Sequence, residues 1–162
     1  MAPVQTTYTT THAAGAEGAV VDAQLANVQS KSAEEAIPFG RFVTRGTGAE
    51  QCKLPTSGLE VAQSIGVAIR VQDDVANASD VLQYEVNRGV SILDFGVVYM
   101  RPEDAVTAGD PVFVRHVAAG AEELGSVRSD TEGTDATAVG GCQFMDDAAA
   151  GELVRVRVRM TN

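Results

Sequence analysis

Between Leu153 and Met160 apolar and basic positions alternate strictly. Val154, Val156, Val158 and Met160 fall on one side of an extended chain, and Arg155, Arg157 and Arg159 on the other. The same two-residue period runs through Ile65, Val67, Ile69 and Val71, which predicts a strand buried on one face. Phe39, Phe42 and Val43 form a short apolar run between Pro38 and Gly46-Thr47-Gly48, and Cys52-Lys53-Leu54 precedes a Pro55-Thr56-Ser57-Gly58 turn. Leu82 to Val86 and Val90 to Met100 read as two strands split at Asn87-Arg88-Gly89. Val112 to His116 follows the tight turn Gly109-Asp110-Pro111, and Leu124 to Val127 reads as another strand. Val139 to Met145 carries Gly140-Gly141, which predicts a bulge.

Two segments read less simply. Val20, Val21, Leu25 and Val28 suggest a short strand, and Ser32 to Ala36 one helical turn ending before Pro38. Residues 1 to about 18 are rich in Thr and Ala and hold little to bury, so they read as an extended arm, with the folded domain over 19–162. No βαβ rhythm is present. Many short strands with turn signals between them predict an all-β fold: a jelly roll or a related antiparallel β-sandwich or barrel.

Composition narrows the function. The chain of 162 residues has a net charge of −10, which disfavours nucleic acid as the main partner. Its cations are ten Arg against Lys31 and Lys53. Arg suits protein interfaces better than Lys, although a GC-rich genome gives the same bias. No apolar run is long enough to span a membrane, and the N-terminus lacks the pattern of a signal peptide, so a soluble protein made in the cytoplasm is expected. Cys52 and Cys142 show no metal-ligand spacing and are expected to be buried free thiols.

Candidate chemistry is sparse. The pairs Asp73-Asp74, Glu103-Asp104, Glu122-Glu123 and Asp146-Asp147 fall in expected loops and read as solvated. Asp130 to Asp135 alternates oxygen ligands around Gly133 but lacks the closing Glu of a calcium loop. His12 and His116 have no nucleophile motif beside them. No catalytic residue, metal ligand or cofactor is assigned. The Arg155, Arg157 and Arg159 stripe is the sharpest charged feature. It fits an acidic partner, with pairing to this chain's own carboxylates or protection of a sheet edge as the alternatives.

The order of elements carries a resemblance. Ala36 to Val43 places a Pro-x-Gly turn before a strand, and Cys52 to Pro55 leads to Ile65 to Ala68. Val106 to Arg115 follows, and the chain closes with Phe144 to Val156. This progression, over roughly residues 20 to 162, resembles the structural cement proteins that decorate and stabilise tailed-phage capsids. The resemblance implies a β-rich fold without catalytic residues and, as partner, the major capsid protein on the outer surface of the virion shell. Val4 and Tyr8 in the arm and Arg155, Arg157 and Arg159 are then candidates for contact with capsid or with a second copy. A homodimer paired through the final strand is expected, with a trimer as the alternative. The competing readings are a tail or head-fibre base component, a host adhesin-like module, or a small enzyme seeded on His116.

Overall fold

The computed structural model describes residues 15–21, 25–71 and 82–160. Among them the chain is almost wholly β. Its strands are β1 (Asn27–Ala33), β2 (Ile37–Pro38), β3 (Phe42–Arg45), β4 (Gln51–Lys53), β5 (Gly66–Ala68), β6 (Gln83–Tyr84), β7 (Gly89–Met100), β8 (Pro111–Arg115), β9 (Val127–Arg128), β10 (Ala136–Phe144) and β11 (Val154–Arg159). One short helix, α1 (Gly58–Ala62), interrupts them.

The main sheet runs β1-β4-β3-β5-β7-β11-β10-β8-β9, and β1 also pairs with β7. That extra ladder closes β1, β4, β3, β5 and β7 into a ring. The far end closes as well: Val127 bridges Pro102, just past β7, and the Glu103 amide donates to the Val127 carbonyl at 2.9 Å. Two small barrels therefore share the long strand β7. The first half of β7 pairs with β1 and the second half with β11, and both partners meet at Phe95, which faces Asn27 in one ladder and Arg159 in the other. Closure of this kind leaves few open backbone edges.

Each ring holds its own core. Ile37, Val43, Cys52, Ile65, Tyr84 and Ile92 pack in the first. Met100, Val112, Val114, Phe144, Val156 and Val158 pack in the second. Strands β3, β5 and β7 lie between the cores, and neighbouring residues on them serve opposite sides. Phe42, Val67 and Leu93 join the second core, whereas Val43, Ala68 and Ile92 join the first. The strand expected to be half-buried over 65–71 is thus short and buried on both faces, because each face meets a core.

Other expectations change for local reasons. Ser32 and Ala33 end β1 rather than forming a helical turn, since their ladder with Gln51 and Cys52 is parallel and helps close the first ring. That pair also departs from a purely antiparallel barrel. The turn expected at Pro55 to Gly58 runs into α1, whose first turn is capped by the Ser57 hydroxyl accepting from the Glu60 amide. The polar run from Asp130 stops at Asp135, because Ala136 and Thr137 already pair with Arg115 and Val114 in the β8–β10 ladder. The bulge expected at Gly140-Gly141 is present as a register shift between Ala138 and Gln143. A Cβ on Gly141, at φ +82°, would lie 2.3 Å from the Arg159 carbonyl oxygen. Strand β11 is not an edge. It lies between β7 and β10, so neither edge protection nor strand-edge dimerisation applies to it.

Candidate interaction surface

The β7–β11 ladder sorts its side chains onto two faces. Val154, Val156 and Val158 sit opposite Met100, Val98 and Gly96 and point into the second core. Arg155, Arg157 and Arg159 sit opposite Tyr99, Val97 and Phe95 on the outer face. The Arg row predicted from sequence is therefore flanked by an apolar and aromatic row on the neighbouring strand.

The three guanidinium groups differ in what they meet. Arg155 binds Asp146 through Nε at 2.8 Å and Nη2 at 2.6 Å, and this pairing holds the Asp146 carboxyl below its ordinary range. Arg157 donates from Nη2 to the Gln143 side-chain oxygen at 2.5 Å. Arg159 has no side-chain hydrogen bond or ion pair among the described residues. Among the described residues, the alternative of pairing with the chain's own acids thus holds for Arg155 alone. Beside Arg157 and Arg159 lies a groove of about 460 Å³, lined also by Leu25, Phe95 and Val97. Leu25 is 81% exposed and Phe95 42%.

Residues 15–21 lie along the Tyr99 end of β7. Gly18 donates to the Tyr99 carbonyl at 2.8 Å, Tyr99 donates to the Ala19 carbonyl at 2.9 Å, and Val21 donates to the Val97 carbonyl at 2.9 Å. A Cβ on Gly15 would lie 2.3 Å from the Tyr99 ring, so the absence of a side chain lets the backbone pass there. The end of the expected arm is therefore hydrogen-bonded to the body. Val4, Tyr8 and His12 lie outside the described residues, as do Asp73 and Asp74.

The remaining acidic pairs are not simply solvated. The Arg115 side chain is fully buried and donates from Nε to both Glu103 oxygens, at 2.8 and 3.0 Å. Its Nη2 reaches Glu122 at 2.7 Å and also Glu132. Arg128 binds Asp130, Glu132 and Glu103. Glu103, Glu122 and Glu132 present ligand oxygens within 4.8 Å of one another, a spacing that would suit a cation. The Arg115 guanidinium already supplies positive charge to all three. The loop from Asp130 that resembled a calcium site is an anchor for two buried arginines. Asp104 accepts from the Ser129 amide and hydroxyl, and Asp147 from the Ala108 amide. His116 contacts the Thr137 hydroxyl at 3.0 Å through Nε2.

Sequence reasoning found the Arg row but missed Leu25, Phe95, Val97 and Tyr99. A signal was present: Phe95, Val97 and Tyr99 alternate with Gly96, Val98 and Met100, the pattern of a strand with an apolar outer row.

The model of the structural cement protein family (E217 gp24/Pam3 gp6) matches residues 4–159. The chain belongs to the phage structural cement protein family. A chain in the capsid of Myoviridae phage XM1 shares the fold at a TM-score of 0.74 and 21% identity, over 98% of both chains. The head fiber gp8.5 N base of bacteriophage phi29 aligns at a TM-score of 0.43 and 8% identity, over 85% of this chain and 100% of the other. No curated protein matches. The role of a cement protein is structural: it decorates the capsid and stabilises it.

Proposed function

We propose that this cement protein binds the outer surface of the major capsid shell and bridges neighbouring capsid subunits. The observation that carries this reading is the outer face of the β7–β11 ladder. There Arg157 and Arg159 stand beside the exposed Phe95 on strands fixed in two closed rings. Arg and aromatic side chains are enriched at protein interfaces, and rigid strands hold them in place at little entropic cost. Many identical copies around a shell make modest contacts add up.

Two finer elements belong to the same reading. The arm read from the sequence, residues 1 to about 18, adds contact with the shell, since it holds few large apolar groups beyond Val4 and Tyr8 to anchor it on its own domain. The protein self-associates on the shell, as a dimer or alternatively a trimer, through side-chain surfaces rather than through β11.

The test is decoration itself. Heads lacking the protein are mixed with purified protein, sedimented and heated. Saturable binding and a higher temperature of DNA release support the reading. Binding without any gain in head stability, or no binding, overturns it.

A further inference from the structure

We infer that the groove between Leu25, Phe95, Arg157 and Arg159 is the capsid docking site, and that its occupant is an acidic segment of the shell subunit bearing a large apolar side chain. This rests on the decoration reading above and specifies the partner's chemistry.

Charge comes first. The chain carries −10 overall, yet this groove presents Arg157 and Arg159. Arg155, one turn of the alternation away, is taken by Asp146. Arg159 is left without a partner among the described residues, and Arg157 has only the neutral Gln143 amide. A carboxylate entering here meets two guanidinium groups that no acid pairs with among the described residues, and Arg binds carboxylate in a planar fork.

The apolar component is independent of the charge. Leu25 is 81% exposed while its backbone sits at φ +58°, a left-handed conformation unfavourable for a residue other than glycine. Phe95, at the joint of the two ladders, borders the same groove, and the adjacent Gly96 sits at φ +147°. An apolar side chain between Leu25 and Phe95 would remove both from water.

Symmetry argues against a second copy as the occupant. A two-fold contact sets a patch against itself. A patch whose charges are all arginine would then face its own arginines, and like charges opposed across an interface are unfavourable. A head-to-tail contact with an acidic region of another copy is left as an outcome of the test.

The test compares wild type with Arg159→Glu, Arg157→Glu/Arg159→Glu and Leu25→Ser. All are at exposed positions, and circular dichroism and thermal unfolding check that each still folds. Binding to heads lacking the protein is measured by sedimentation from 50 to 500 mM NaCl. Wild-type binding weakens as salt rises. Arg159→Glu and Leu25→Ser each lose about tenfold or more in affinity, the size of one well-placed interface contact. The double variant loses more and no longer weakens with salt. Arg159→Lys keeps the charge but not the fork, so its affinity falls between wild type and Arg159→Glu. If the folded variants bind with wild-type affinity while wild type decorates normally, the docking site is wrong and the decoration reading stands. If the variants bind heads normally but lose self-association in light scattering, the groove is a copy-to-copy contact and the inference is overturned. If wild type fails to bind heads, the decoration reading itself fails.

Discussion

Glu103 holds Arg115 by both carboxylate oxygens, and the two side chains are 11% and 0% exposed. The pair ties the segment just past β7 to β8 and so helps lock the second ring. Removing one partner strands a buried charge, which typically costs about 3–5 kcal/mol. Glu122 and Glu132 also reach Arg115 and keep its charge paired, so Glu103→Gln should cost less than that, about 1–3 kcal/mol for the lost charge-assisted hydrogen bonds. Urea unfolding at neutral pH should show a lower midpoint with an unchanged slope. A wild-type midpoint would mean that the pair contributes no net stability.

The acid limb of stability should come from Glu60 rather than Glu103. Lys53 at 2.7 Å, with the Thr56 amide and hydroxyl, pulls the Glu60 carboxyl from 4.5 down to about 2. A depressed acid adds stability that is full above the unfolded value and is lost as pH falls through the folded one. Its window is therefore about pH 4.5 to 2. Burial pushes Glu103 upward, so its own contribution has the opposite sign: it is largest at low pH and is lost as pH rises through its raised value. Glu60→Gln should flatten the fall in melting temperature across the Glu60 window, whereas Glu103→Gln should not. An unchanged acid limb in Glu60→Gln would remove this assignment.

Neighbouring glycines in β10 make a matched pair. Gly141 is at φ +82° and its Cβ would strike the Arg159 carbonyl oxygen, while Gly140 has nothing within 4 Å. Gly141→Ala should destabilise by roughly 1–3 kcal/mol, and Gly140→Ala should stay within about 0.5 kcal/mol of wild type. Equal effects in chemical denaturation would show that the bulge does not require its glycine.

Both thiols should be inert in the folded protein. Cys52 and Cys142 are buried, free and pushed up to about 11 by burial. A thiol reagent at pH 8 should label neither until the chain unfolds, and then both. Rapid labelling of the native protein would show that one of the cores opens readily.

Periodicity was a good guide where a strand has one wet face. The β11 alternation, the split at Asn87 to Gly89 and the Gly140-Gly141 bulge were all legible because they are local. Double burial was not. Strand β5 is buried on both faces because two cores flank it, and nothing between Ile65 and Val71 reports a second core. Ring closure was equally hidden, since the pairing of Ser32 with Gln51 and the bridge from Pro102 to Val127 depend on distant residues. The interaction face was half legible. Arg155, Arg157 and Arg159 stood out, but their cross-strand partners Tyr99, Val97 and Phe95 follow only from a register set by the whole sheet. Likewise the loop at Asp130 had the oxygen spacing of a cation site, and only the fold brings Arg115 and Arg128 into it.

The most direct test of the decoration reading is a cryo-EM map of the intact head at side-chain resolution. Density for the two joined rings is expected on the outer surface of the shell. Each copy should contact at least two neighbouring capsid subunits, with the Phe95–Arg159 end of the β7–β11 face against the shell. Density only inside the shell or in the tail, or copies that each touch a single capsid subunit, would contradict it.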